Sequence, residues 1–181
     1  MDNSIDPTED IAVQNERLQG SIIVASQPGQ SPRVMTEAIR FAKLLSVPLV
    51  VVHVDVTRFV TYEDPDGYLH TAPIDISLVV GEAEFKLVQE EAETALAGSG
   101  LTWTARQLAG DPALAIKQLA NRLDASLIVV GTRKPGIGES IRQFFTGSVA
   151  ARLSQRQHRP ILVVPQEEPM DDNQELWPDS D

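Results

Sequence analysis

The stretch that decides the fold is Leu127-Ile-Val-Val-Gly131-Thr-Arg133-Lys134-Pro-Gly136-Ile-Gly138-Glu-Ser-Ile-Arg142-Gln-Phe-Phe-Thr146-Gly147-Ser148. Its apolar opening, Leu127 to Val130, reads as a short strand buried on both faces. Gly131 ends that run. The loop beyond it holds Gly136, Gly138 and the adjacent cations Arg133 and Lys134. Thr146-Gly147-Ser148 then stands directly before Val149, Ala150 and Leu153, whose spacing predicts the start of a helix. Strand, glycine loop and helix N-terminus form an architecture that holds anions. Backbone N–H groups at a helix start have no intrahelical partner, and glycine lets the chain approach a phosphate closely. A plain turn without a ligand has the same pattern, since loose glycine motifs recur often.

Two sharper motifs are excluded. Gly131 and Gly136 have P-loop spacing, but Ile137-Gly138 stands where a lysine and a hydroxyl residue are required. Gly136-Ile137-Gly138 followed by Ile141 lacks the third glycine of the dinucleotide fingerprint, and it follows a late strand instead of the first.

The chain has 181 residues, enough for one domain with a sizeable core. At 42% hydrophobic and 23% charged it has the composition of an ordinary globular domain. No apolar run approaches the ~20 residues of a membrane span, and Met1-Asp-Asn-Ser does not read as a secretory signal. The absence of cysteine excludes disulfides and thiolate metal sites and agrees with a cytoplasmic location. The net charge of −11 is concentrated at the ends. Residues 1–19 hold five acids and one base, residues 167–181 hold seven acids and no base, and residues 20–166 balance at fourteen of each. Both ends therefore read as disordered acidic tails, with Trp177 a stray aromatic in the second. Without a net basic footprint, nucleic acid is not expected as a partner.

Outward from the opening stretch, the pattern is strand and helix in alternation. Ser21 to Ala25 and Leu49 to Val56 read as buried strands, and Arg33 to Leu45 between them as a helix with Val34, Ala38, Phe41, Ala42 and Leu45 inward. His53 inside the second strand reads as a core histidine hydrogen-bonded to backbone, since no second metal ligand sits at a defined spacing. Residues 58–71 read as an inserted β-hairpin around the turn Asp64-Pro-Asp-Gly67, exposed and suited to a lid or partner surface. Ser77 to Leu96 is helical in composition, with Gly81 blurring its start and Val80, Phe85, Val88, Ala92 and Leu96 as its apolar set. Leu101, Trp103 and Ala105 alternate with threonines, as in a less buried strand. Asp111-Pro112 is a helix start with Asp111 as N-cap, leading through Ala115, Ile116, Leu119, Ala120 and Leu123 to Leu127. Val149 to Gln157 is the last helix and Arg159 to Pro165 the last strand. This alternation implies right-handed crossovers and a five-stranded parallel sheet covered by helices on both faces. Ligands of such sheets bind beyond the strands' carboxyl ends at the topological switch point, where the loops after the first and fourth strands are candidates to meet.

Five marks stand in order along this frame: Val52-His53-Val54, Gly110-Asp-Pro112, Leu127-Ile-Val-Val-Gly131, Thr146-Gly-Ser-Val149 and Arg159-Pro-Ile-Leu-Val-Val-Pro165. In this order and spacing the chain resembles the universal stress protein family over residues 20–166. The resemblance implies a Rossmann-like nucleotide-binding fold with strand order 3-2-1-4-5 and a homodimer joined through the last strand. It also implies, as in many members, ATP or another adenine nucleotide beside the fourth-strand loop. The family's motif is similar to Gly-x2-Gly-x9-Gly-Ser/Thr. Carried over, it falls on Gly131, Gly147 and Ser148, with Val149 next, and Val54 stands where a backbone contact to adenine falls. The middle glycine is Lys134 here, and Gly147 lies sixteen positions after Gly131, three more than the motif. Gly136 or Gly138 is the substitute. Ser26-Gln27 replaces the aspartate usual after the first strand, while Arg133, Lys134 and Arg142 offer charge to an anion.

Two functions compete. One is a cytoplasmic stress-response module that binds an adenine nucleotide or related phosphate ligand. The other is a dimeric interaction protein of the same fold with a degenerate pocket, acting through its dimer surface, hairpin and tails. An enzyme is not expected: no His–carboxylate–nucleophile set and no metal ligands stand at a recognisable spacing.

Overall fold

The computed structural model of the protein describes residues 11–56, 75–132 and 149–166. The expected hairpin, the glycine loop from Arg133 to Ser148, and residues 1–10 and 167–181 lie outside the described residues. In chain order the elements are α1 (Ile11–Arg17), β1 (Ile22–Ala25), α2 (Pro32–Leu45), β2 (Leu49–Asp55), α3 (Asp75–Leu96), β3 (Trp103–Ala109), α4 (Pro112–Arg122), β4 (Leu127–Gly131), α5 (Val149–Arg156) and β5 (Ile161–Val164).

The five strands form one parallel sheet in the order β3-β2-β1-β4-β5, as the resemblance implied. Ile22 pairs with Leu49 on one side and Leu127 on the other, so β1 is the central strand. Its aliphatic residues are buried on both faces, which is what crossover helices on both sides of a parallel sheet require. One core layer packs β1, β2 and β4 through Ile23, Val50, Val52, Ile128 and Val130 against α4 and α5. The opposite layer packs Ile22, Val24, Val51 and Val129 against α2 and α3.

Local chemistry sets the helix boundaries. Asp111 caps α4 by accepting a hydrogen bond from Leu114 N at 2.9 Å, and Pro112 occupies the first turn, where a missing N–H costs nothing. Pro32 likewise opens α2. Ser46 ends it in the left-handed region (φ 54°), its N–H returning to the Ala42 and Lys43 carbonyls. Arg159 ties the entry of β5 to the end of α4: Nε donates to Ala125 O at 2.8 Å, Nη1 to Asn121 at 2.7 Å and Nη2 to Asp124 at 3.0 Å. The Arg159-Pro mark is thus a structural staple.

Three expectations change. Residues 11–19 are no tail. α1 and the turn after it dock on α4 through Leu18, which is fully buried, and Gly20 N donates to Leu123 O at 2.9 Å. Asn15 accepts from Arg106 Nη1 on β3 at 2.9 Å. Burial first, and the charge of Arg122 second, lower the Arg106 pKa from its ordinary value. Net charge misleads here because Glu16 and Arg17 face solvent while Leu18 is buried, worth about 1.5–3 kcal/mol, beside the hydrogen bonds of Asn15 and Gly20. Leu45 is 48% exposed and Val80 44%, so neither belongs to the inner face expected of it. On α4 Ala113 is buried and Ala115 only half-buried.

Candidate functional site

Strand order reverses at β1 and β4, whose carboxyl ends open a crevice between two outgoing loops. Gly131 forms its floor. A Cβ added there would stand 2.6 Å from Gln166 Nε2 and 2.7 Å from Gln30 Nε2, so two carboxamides close over this glycine. Gln30, in the loop after β1, is held by Gln27 N, which donates to its Oε1 at 3.0 Å. Gln166 comes from beyond β5. Its backbone N donates to Thr132 Oγ1 at 3.1 Å, its Nε2 donates to Thr132 O, and its Oε1 accepts from Ser31 N at 3.2 Å. Thr132 N in turn donates to Val164 O at 2.9 Å. The loops after β1 and β4 and the chain after β5 are thereby stitched together by uncharged groups.

Beside the crevice, His53 is 2% exposed. Its Nδ1 lies 3.3 Å from Ser26 O, a carbonyl that only accepts, so this nitrogen carries the proton. This is the backbone-bonded core histidine expected from the sequence. Nε2 faces Glu84 Oε2 on α3 at 3.4 Å, within ion-pair range but too poorly aligned for a hydrogen bond. Asp55, at the end of β2, is 2% exposed and lies against Gly81 of α3. A cavity of about 480 Å³ adjoins the crevice between α2 and α3; Val24, Ser26, Gln30 and Met35 are among its walls, with Glu90 and Glu91 of α3.

On the opposite face α4 and α5 meet at their first turns, where Arg152 pairs with the capping carboxylate of Asp111. Burial raises the Asp111 pKa. The Arg152 hydrogen bond, the Leu114 amide and the charges of Arg152 and Arg156 outweigh that effect and hold it below the ordinary carboxylate range.

Of the site residues expected from the sequence, Val54, Gly131 and Val149 are described. Val54 and Val149 are half-buried and pack against the same core layer, to which Val130 belongs, so the elements carrying all three converge. Arg133, Lys134, Gly136, Gly138, Gly147 and Ser148 lie outside the described residues. Thr132, Gln30 and Gln166 were not legible as site residues. Ser31 and Gln166 are 135 positions apart, and nothing in either local pattern announces the meeting. Among the described residues no group of three or more His, Cys, Asp or Glu is arranged to hold a metal ion, and no helix is long and apolar enough to cross a membrane.

Comparison with known proteins agrees with this geometry. The family model described as the universal stress protein family matches residues 20–165. The stress response protein NhaX of Bacillus subtilis (strain 168) is 27% identical over 162 residues, covering 79% of this chain and 96% of that protein. A universal stress protein solved in complex with cAMP superposes with a TM-score of 0.59 at 22% identity, over 83% of this chain and 99% of its own. The universal stress protein of Archaeoglobus fulgidus in complex with dAMP has a TM-score of 0.53 at 20% identity, over 81% of this chain and 98% of its own. At these identities the two structures share a fold with this chain.

Proposed function

We propose, from the premise that this chain belongs to the universal stress protein family, that it is a cytoplasmic, non-catalytic stress-response module that binds an adenine nucleotide at the β1–β4 crevice. The observation that carries this reading is the crevice at the switch point, floored by Gly131 and walled by Ser26, Gln27, Gln30, Ser31, Thr132 and Gln166, none of them charged. After β1 this chain has Ser26-Gln27, and the Glu91 carboxylate of α3 reaches the same loop, accepting from Gly29 N at 3.3 Å. The complexes of similar proteins with cAMP and dAMP support an adenylate as the ligand class. Val54 would supply the backbone contact to the base, and Gly147, Ser148 and Val149 the amides for the phosphate, with Gly136 or Gly138 replacing the motif's middle glycine and Arg133 and Lys134 adding charge.

The working unit is proposed as a homodimer. β5 is an edge strand of the sheet, and its Val163 is 45% exposed, an apolar edge of the kind that proteins cover.

A second reading rests on a specific observation: Gln30 and Gln166 fill the space over Gly131. It makes the chain a dimeric interaction protein with a degenerate pocket. Calorimetric titration of ligand-stripped protein with ATP, ADP and AMP separates the two. Saturable heat that is lost in Gly147→Val supports the nucleotide module. No heat and no thermal shift at millimolar nucleotide selects the interaction protein.

A further inference from the structure

The cavity between α2 and α3 is chemically sorted. Val24 and Val34, each 1% exposed, stand at its inner end with the half-buried Met35, while Glu90 and Glu91 of α3 are exposed at its mouth. Among the described residues no Lys, Arg or His lines it. α3 carries six acids and one lysine, with no base in its last turn, where the helix dipole has its negative end. The Glu90 carboxylate reaches Lys86 Nζ only at 3.9 Å, between two exposed side chains, and Glu91 Oε1 accepts from Gly29 N at 3.3 Å. Each carboxylate keeps an oxygen for a closer partner.

Most hydrogen-bond donors of the walls are already spent. Thr36 Oγ1 donates to Pro32 O at 3.0 Å and Thr94 Oγ1 to Glu90 O at 2.9 Å. Val34 N donates to Ser31 O at 3.1 Å, Ser31 N donates to Gln166 Oε1 at 3.2 Å, and Pro32 has no N–H. The first turn of α2, which as a helix start would draw an anion, therefore has little to offer one. What stands open is a pair of carboxylates above an apolar end.

We propose that this cavity binds a small organic amine, an ammonium carried on an aromatic or aliphatic body. An ammonium has three donors and no acceptor, the complement of the mouth, and bonds Glu91 and Glu90 there. Its apolar body lies inward against Val24, Val34 and Met35. The volume of about 480 Å³ is within the range of about 300–1,000 Å³ that small-molecule pockets span. This site does not rest on the nucleotide reading. Val24 and Val34 belong to the core layer under α2 and α3, whereas Val54 and Val149 pack on the opposite layer.

The experiment titrates the full chain with tryptamine, with tryptophol, which has a neutral hydroxyl in place of the ammonium, and with indolepropionate, which has a carboxylate. The nuclear magnetic resonance signal of a labelled Met35 methyl, identified by its loss in Met35→Leu, reports binding at this wall. Tryptamine should shift that signal saturably and bind about tenfold more tightly than tryptophol, an advantage that shrinks at high salt. Indolepropionate should leave the signal in place. Glu91→Gln should weaken tryptamine about threefold and Glu90→Gln/Glu91→Gln about tenfold, as two exposed ion pairs allow. Both positions are on the surface, and thermal unfolding checks that the fold is kept. Equal affinity for tryptamine and tryptophol, or equal affinity of the parent and the double variant for tryptamine, overturns the amine assignment. A Met35 signal unmoved by millimolar tryptamine overturns the site itself, and leaves the nucleotide reading untouched.

Discussion

Replacing Gly81 with alanine is expected to destabilise this protein, although alanine is the better helix former by about 1 kcal/mol. Gly81 is buried in the first half of α3, where the helix crosses the end of β2. A Cβ at this position would come within 2.1 Å of Asp55 Oδ2, 2.7 Å of its Cγ and 3.4 Å of its Oδ1. Asp55 has little room to yield. Its side chain is short and 2% exposed, its residue pairs with Ala109 in the sheet, and its carbonyl accepts from Gly110 N at 3.0 Å. The alternative is for α3 to lift away, which strains the bond from Gln107 Nε2 to Gly81 O at 2.9 Å and the 3.4 Å contact between His53 and Glu84. Overpacking of this kind costs about 1–3 kcal/mol, and losing a hydrogen bond adds about 1 kcal/mol. Set against the propensity gain, the net loss is about 1–3 kcal/mol, or about 3–10 °C in Tm for a chain of this size. Urea unfolding followed by circular dichroism, at one protein concentration so that self-association does not shift the midpoint, measures it. In an Asp55→Ala background the overlap vanishes and alanine at 81 should be neutral or stabilising. The cycle should therefore show a coupling of about 1–3 kcal/mol. Gly81→Ala as stable as the parent, or more so, in the Asp55 background would refute the steric argument.

Leu18→Ala should cost about 2–5 kcal/mol, and deletion of residues 11–19 at least as much, because a fully buried leucine of the α4-side core is removed; deletion of residues 1–19 with no change in Tm would show that α1 is not docked in solution. The Asp111 carboxylate has a folded pKa below its unfolded value, so its contribution is fully present above the ordinary aspartate range near pH 4 and is lost as pH falls through the folded pKa. Asp111→Asn should lower stability at neutral pH and flatten the acid limb of a stability–pH profile, and a parallel downward shift with an unchanged limb would sink this. Val163→Lys should turn a dimer into a monomer by sedimentation while leaving the fold intact, because this side chain is 45% exposed. A charge at Val164, which is 4% exposed, should instead unfold the subunit. A dimer that tolerates Val163→Lys would remove β5 from the interface.

Much of the fold was legible because its causes are local. The aliphatic runs Ile22–Val24, Leu49–Val52 and Leu127–Val130 carry no period-two polarity, which is the mark of strands buried on both faces. Asp111-Pro112 announces a helix start because capping is decided within four residues. Five marks in order carried the family and with it the strand order, which spacing by itself left open. What the tertiary structure alone decided are contacts between groups far apart in sequence. Gly81 read as a weak point in a helix, and in the structure it is the clearance that Asp55 needs. Leu18 read as part of a charged tail, and it is core, because its burial against α4, with the hydrogen bonds of Asn15 and Gly20, leaves the charges around it solvated at the surface. Gln30 and Gln166 are ordinary polar residues in ordinary loops. Their meeting over Gly131 exists only because the sheet order places the exits of β1, β4 and β5 side by side, and the closure of a long loop leaves no trace in the residues at its ends.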